Sequence, residues 1–382
     1  MNPNTLYYQD SHLCRFSAKV LSCTPEKDRF LVVLDNTAFY PEGGGQAGDT
    51  GTLGGISVLD TRENGDSIVH YCEAPLEEGA AVEGQINWLR RFDLMQQHSG
   101  EHILSGIIHS RYGYHNVGFH MGADTVTIDF DGMIPPEDLP LLEQLANEAI
   151  WKNLEISSGF YQENELDGLP YRSKKRLTGT VRLVEVPGYD LCACCGTHVT
   201  HTGEIGQIKI LSWVKFHQGI RMEIVCGGRA LRYFSRLQEQ NRQVSNVFSA
   251  APLETGSAAQ KFREELEASR FRVVGLENQL FDRIAESWEG KGDVTLFQPE
   301  LSPDALRRLT DKVGSLCGGR CIILSGSDEA GYRYAICHQG ADLRDFVKQW
   351  NTTLNGRGGG KGGFVQGSCA ATKDQIERFL GQ

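Results

Sequence analysis

Between residue 15 and about residue 83, short apolar runs alternate with glycine and proline. Residues 30–35, 56–59 and 67–71 read as strands, each a short β-branched or aromatic run bounded by turn residues such as Asn64-Gly65. The pattern predicts a small β-barrel, or failing that a sandwich, interrupted by a loop at Pro41-Glu42-Gly43-Gly44-Gly45-Gln46. A helix follows from about Asp93 to Arg111, where Leu94, Ile103, Leu104, Ile107 and Ile108 recur at helical spacing.

Beyond it the period switches repeatedly. A strand is expected at 125–130, a helix at 136–153, and strands at 181–186, 206–213 and 220–226. These form an α+β layer with helices packed on a mostly antiparallel sheet. From Gly228 to about Glu289 the chain is long, charged helix. Phe262, Leu266, Val273, Leu276, Leu280 and Ile284 keep a near-heptad stripe, which suits a helical hairpin or coiled-coil arm. One amphipathic helix lying on a neighbouring domain would show the same stripe.

From Val294 onward strands and helices alternate again: a strand at 294–297, a helix capped by Ser302 with Pro303 in its first turn, and a strand at 321–324. A strand at 332–338, a helix at 342–350 and a strand at 364–367 complete a small α/β unit, with Gly356-Arg357-Gly358-Gly359-Gly360-Lys361-Gly362-Gly363 read as a loop. The expected fold is therefore α+β in four parts: a glycine-rich β-barrel (1–90), an α+β domain (91–228), a helical arm (229–290) and a C-terminal α/β domain (291–382).

Composition narrows this little. Of 382 residues, 40% are hydrophobic and 23% charged, as in ordinary soluble proteins. The N-terminus has no signal-like pattern and no window approaches a membrane span, so a cytoplasmic protein with no membrane partner is expected. The 11 cysteines are scattered apart from Cys192, Cys194 and Cys195, which does not resemble the disulfide framework of a small secreted chain. A net charge of -11 opposes nonspecific coating of nucleic acid, although Arg172, Lys174, Lys175, Arg176 and Arg182 form a local basic run. Such a run can touch RNA or can simply be solvated.

Chemistry enters at two places. In Gln96-Gln97-His98-Ser99-Gly100-Glu101-His102, His98 and His102 stand one turn apart on one helix face and can reach a single ion. Incidental histidines also occur at that spacing. Cys192-Ala193-Cys194-Cys195-Gly196-Thr197-His198 is a turn in which a cysteine and a histidine can converge on an ion as well. Two independent nitrogen/sulfur pairs point to one zinc ion rather than magnesium or calcium.

These motifs, together with Asp35-Asn36-Thr37-Ala38-Phe39-Tyr40-Pro41-Glu42-Gly43-Gly44-Gly45-Gln46, resemble the editing module of alanyl-tRNA synthetase. They are still more similar to its free-standing relatives, the AlaX proteins. The likeness runs over residues 1 to about 228, and the C-terminal part with its GRGGGKGG segment resembles the DHHA1 domain. The resemblance implies His98, His102, Cys194 and His198 as zinc ligands, with Cys192 and Cys195 as the competing cysteines. It places Thr37 beside the substrate side chain, Gly43, Gly44, Gly45 and Gln46 along the substrate, and His120, within Gly118-Phe119-His120-Met121-Gly122, in the same pocket. The family often has Thr where this chain has Ser99, and two glycines where it has Cys195-Gly196. Arg357 and Lys361 are the implied RNA contacts.

The implied activity is hydrolysis of the ester joining serine, or glycine as a second candidate, to tRNA(Ala). Four protein ligands would make a closed zinc, the pattern of a structural site, whereas catalysis usually needs an open position. Three firm ligands plus one position for water or the substrate amine reconcile the two. Glu101 is a candidate general base, or else a surface residue or a support behind the ligands, and His120 a stronger candidate for contact with water or carbonyl. Two other readings share the motifs: a zinc hydrolase acting on a small molecule, and a non-catalytic tRNA-binding module. The arm and C-terminal domain could also join two copies as a homodimer.

Overall fold

The computed structural model describes residues 5–173 and 178–381, and divides the chain into two compact units, Met1–Gln240 and Asn241–Gln382. Among the described residues no helix is long and apolar enough to cross a membrane.

The first unit opens with a short helix, α1 (Leu6–Gln9), and six strands: β1 (Arg15–Glu26), β2 (Arg29–Leu34), β3 (Gly51–Leu53), β4 (Ile56–Asn64), β5 (Ser67–Cys72) and β6 (Ala81–Ile86). They close into a barrel in the order β1-β2-β5-β4-β3-β6, with antiparallel pairing throughout. Alternation of exposed and buried positions along β1 and β6 turns Phe16, Ala18, Val20, Val82 and Ile86 inward. Gly84 leaves room for the Phe16 ring, which a Cβ there would overlap. The stretch between β2 and β3 carries the Thr37-to-Gln46 motif. It is fastened by Asp49, which accepts from the Tyr40 amide at 2.6 Å and pairs with the fully buried Arg91. Arg91 also donates to the Ala38 carbonyl at 2.6 Å. Buried, multiply bonded arginine of this kind sets geometry more than net stability.

Arg91 belongs to α2 (Trp88–Tyr112), capped by Asn87 at its start and by the left-handed Gly113 at its end. Every residue from Leu94 to Ile108 on this helix is buried, so it is a core element rather than a surface one. After it come β7 (Asn116–Met121), β8 (Val126–Phe130), α3 (Leu139–Trp151), β9 (Ser157–Tyr161), β10 (Val181–Val186), β11 (Asp190–Ala193), β12 (Ile208–Phe216) and β13 (Gly219–Cys226). A four-stranded sheet runs β12-β13-β8-β7 and a three-stranded one β11-β10-β9. Apolar residues of α2, α3 and the larger sheet share one core, including Ile103, Leu104, Ile128, Leu142 and Ile224. Gly100 on α2 lets β13 approach, since a Cβ there would collide with Cys226 Sγ. Gln97 seals that contact by accepting from the Cys226 amide at 2.8 Å and donating to its carbonyl at 3.0 Å. A long helix, α4 (Gly227–Phe248), starts directly after β13.

The second unit holds α5 (Thr255–Ser287), β14 (Gly292–Gln298), α6 (Pro303–Leu316), β15 (Gly318–Ser327), β16 (Gly331–His338), α7 (Arg344–Thr353), β17 (Gly356–Lys361), β18 (Phe364–Cys369) and α8 (Lys373–Leu380). Its five-stranded sheet runs β14-β15-β16-β18-β17, and only β14 and β15 are parallel. Ser302 caps α6, as its place before Pro303 predicts, accepting from the Ala305 amide at 3.1 Å. The glycine-rich segment is not a loop. It forms β17, paired along its length with β18 and turning at the left-handed Gly362. Glycine suppresses strand propensity, but the neighbouring strand supplies the ladder that a lone sequence cannot show. The heptad stripe on α5 is largely open: Phe262, Val273, Leu276 and Leu280 are each more than half exposed, Phe262 meets the Phe248 ring at 5.6 Å between centroids, and Phe281 and Ala285 near the end of the helix pack under α6.

Candidate metal centre

His98 and His102 sit one turn apart on the buried α2, with ring centroids 5.3 Å from each other. His198 comes from the turn after β11, and its ring lies 4.5 Å from His98 and 4.6 Å from His102. Cys194 closes the group, its Sγ 3.4 Å from the Nε2 atoms of both His98 and His198. One ligand atom from each of the four falls within 4.8 Å of the others, so the group can hold one metal ion. Of the three clustered cysteines, Cys194 joins the histidines, while Cys192 groups with His102 and Asp190 and Cys195 stands outside both sets.

The far side of each imidazole is also fixed. His98 Nδ1 donates to Gln46 Oε1 at 3.0 Å, His102 Nδ1 to Asp190 Oδ2 at 2.9 Å, and His198 Nδ1 meets Ser99 Oγ at 3.1 Å. With Nδ1 held outward, Nε2 is the nitrogen left to face the interior, the arrangement that outer partners impose on metal-binding histidines. Asp190 is itself clamped by Arg172, whose Nε and Nη2 lie 2.6 and 2.9 Å from its two oxygens. The turn is clamped by Arg182, which donates to the carbonyls of Cys194 and Gly196 at 3.0 and 2.9 Å and lies over the Tyr8 ring. Gly196 is required here, because a Cβ would overlap the His98 ring.

Burial and the neighbouring His98 push His198 down to about 3. Burial also works against charge on His102, but the Cys194 thiolate and Asp190 overcome it and hold His102 well above its ordinary value. Cys194 is drawn far below the usual thiol range, again against burial, by the three histidines around it. A preformed thiolate among imidazoles is a donor set suited to a soft or borderline divalent cation.

The basic run divides. Arg182 is buried and Arg172 partly buried in the framework of this centre, and Lys174, Lys175 and Arg176 lie outside the described residues. Glu101 is not on the surface either. It is buried, and accepts from Ser105 Oγ at 2.6 Å and from Asn116 Nδ2.

The remaining site residues surround two cavities. Gly43, Gly44, Gly45 and Gln46 line one of about 470 Å³, with His120 on its wall. Phe119 turns to the opposite face of β7 and stacks on His98, at 5.2 Å between centroids, so His120 faces the cavity while its neighbour faces the histidines. The Gln46 side chain leaves the glycine loop for the centre, where it also donates to Thr197 Oγ1 at 2.7 Å. Thr37 borders a second cavity of about 580 Å³, and Glu63 borders both. The Thr37 hydroxyl donates to His70 Nε2 at 2.8 Å, since the opposite nitrogen of that ring is bonded to the Val32 carbonyl. Arg357 and Lys361 stand on β17 in the second unit, two strand periods apart on one face. Ser99, Asp190, Arg172 and Arg182 were not singled out by the sequence as parts of the centre, because partners distant in the chain leave no spacing signal.

Residues 181–221 match the family described as the threonyl and alanyl tRNA synthetase second additional domain, and residues 7–90 match class II (A) tRNA synthetases. An alanyl-tRNA editing protein, AlaX-L, from Pyrococcus horikoshii is 30% identical over 402 residues, covering 97% of this chain and 96% of the relative. A Mus musculus alanyl-tRNA editing protein is 28% identical over 402 residues, covering 97% and 95%. An Ignicoccus hospitalis alanine–tRNA ligase is 30% identical over 390 residues, 97% of this chain but 42% of the ligase. The chain thus spans less than half of that ligase and nearly all of the two editing proteins.

Proposed function

Because this chain belongs to the alanyl-tRNA editing family that includes AlaX-L, we propose that it deacylates mischarged tRNA(Ala), taking serine as substrate and glycine as a second one. The observation that carries the reading is the converged His98, His102, Cys194 and His198 group, each histidine oriented from behind, in a chain similar to alanyl-tRNA editing proteins over nearly all of their length. Zinc is the ion we assign to it, on the mixed thiolate and imidazole donor set. When bound, zinc polarises an ester carbonyl or lowers the pKa of a water to about 7.

This chain's own residues supply the rest. Gln46, Asp190 and Ser99 keep the three imidazoles aimed inward. Gly43, Gly44 and Gly45, without side chains over the cavity, let a nucleotide end approach the backbone. His120 reaches that cavity from β7 and is our candidate for holding the water or the carbonyl. Thr37 is assigned to the amino-acid side chain. A serine hydroxyl can donate to the Thr37 oxygen while that hydroxyl keeps its bond to His70, a hydrogen bond that alanine cannot form. A synthetase pocket sized for alanine excludes serine only weakly, which is why a second, polar site is needed.

The test is release of amino acid from seryl- and alanyl-tRNA(Ala) by the purified protein, with and without a chelator. Chelator-sensitive release of serine, with alanine spared, is the expected result. Binding without release would instead favour a tRNA-binding module, and inertness toward both esters a small-molecule hydrolase. Arg357 and Lys361 are assigned to RNA backbone contact, and the open stripe on α5 to a homodimer contact.

A further inference from the structure

In the second unit, β14, α6 and β15 form a parallel crossover, and in such units ligands bind beyond the carboxyl ends of the strands. A cavity of about 840 Å³ lies at that end. Its floor is one row across four strands: Ser325 of β15 pairs with Arg333 of β16, Arg333 with Ser368 of β18, and Ser368 with Arg357 of β17. Directly opposed residues in a ladder share a face. Two residues inward on that face, Ile323 and Ala335 are buried under α6; in the row itself Ser325 is still buried, while Arg333, Ser368 and Arg357 are exposed. The start of α6 is pinned beside it, the Leu301 amide donating to Ser325 Oγ at 2.8 Å.

Arg333 and Arg357 are exposed, and neither makes an ion pair or side-chain hydrogen bond among the described residues. By contrast, three other arginines of the unit's sheet and helices are held by short ion pairs: Arg308 with Glu277 and Asp304, Arg320 with Asp293, Arg344 with Asp342. Two unpaired guanidinium groups, two strand spacings or ~10 Å apart at their backbones, can converge on one phosphate or take two in succession. The cavity is not uniformly basic. Glu300 and Glu329 stand at its rim, while Asp328 is engaged by the Tyr332 hydroxyl at 2.9 Å and the Lys373 amide at 2.7 Å. A cationic, hydroxyl-bearing floor under an acidic rim suits a phosphate attached to a hydroxylated sugar better than a bare polyanion.

We propose that the Ser325–Arg333–Ser368–Arg357 row is a binding site for the phosphate of a ribonucleotide unit, carried either within RNA or by a free nucleotide. It shares Arg357 with the RNA contact assigned above and rests on that reading for this residue alone.

The test uses the full-length protein with uncharged tRNA(Ala), AMP and inorganic phosphate as probes, which makes it independent of deacylation. Arg333→Gln is expected to weaken tRNA roughly tenfold, as loss of a charged hydrogen bond does. It should also reduce the slope of log affinity against log salt by about one, with Arg333→Lys intermediate. If AMP or phosphate binds the parent protein and is lost in Arg333→Gln while tRNA is unaffected, the site stands and its ligand is the free nucleotide. If none of the three probes responds to Arg333→Gln or Arg333→Lys, the proposal falls. Should Lys361→Gln alone weaken tRNA in that case, the β17 contact survives without the cavity.

Discussion

Asp190 touches both His102 and Arg172, and its role can be measured without any substrate. Removing its charge in Asp190→Asn should lower zinc affinity by about 10- to 100-fold, the usual cost of losing an outer partner, as read by chelator competition. An unchanged affinity would show that His102 needs no such support. Gly196→Ala makes a sharper case, since the added methyl would enter the space of the His98 ring and approach Gln46 Oε1 to 2.9 Å. Loss of stoichiometric zinc with retained far-ultraviolet circular dichroism is expected, whereas Cys195→Ser should keep its metal because that thiol stands outside the ligand set. The sequence exposed the four candidate ligands through their spacing on a helix and in a turn. It did not tie Ser99, Asp190, Arg172 or Arg182 to those ligands, because they act across 12 or more residues or through hydrogen bonds that any polar side chain could make.

Within the barrel, His70 is the element's weak point toward acid. Burial lowers its pKa from 6.5 to about 4. The unfolded chain therefore binds a proton that the folded barrel refuses, so this contribution is present above pH 6.5 and is lost as pH falls toward 4. At 1.36 kcal/mol per pKa unit the loss amounts to about 3 kcal/mol. Urea unfolding of the parent and of His70→Gln between those limits should show a shallower pH dependence in the variant; parallel curves would remove His70 as the cause. Thr37→Val strips the hydroxyl that donates to His70, so it should destabilise the barrel by roughly 1–3 kcal/mol. It should also narrow the preference for seryl- over alanyl-tRNA(Ala), and unchanged relative rates would end the assignment of Thr37 to the side chain. Periodicity predicted β2, β5 and β10 closely, because valine, isoleucine, leucine or aromatic residues recur through each of them. It missed β1 and β6, whose inward positions include Ala18 and Gly84, too small to mark an apolar face.

Across the molecule, chain order and motif spacing were enough to suggest an N-terminal barrel, an α+β middle and a C-terminal α/β part, and the closed six-stranded barrel is present where the first of these was expected. The sequence by itself determined the four candidate ligands, the cap at Ser302 and the places where the period changes, since each depends on residues within a few positions of one another. Tertiary structure decided what those features meet. It turned a glycine-rich loop into an edge strand by giving it β18 as a partner, and drew both ends of a basic run into the scaffold of the candidate metal centre. It also aligned Arg333 with Arg357 across an intervening strand. The reason is physical: spacing records contacts along a helix or turn, but ladder register and buried ion pairs join segments whose separation in sequence carries no information about their approach in space.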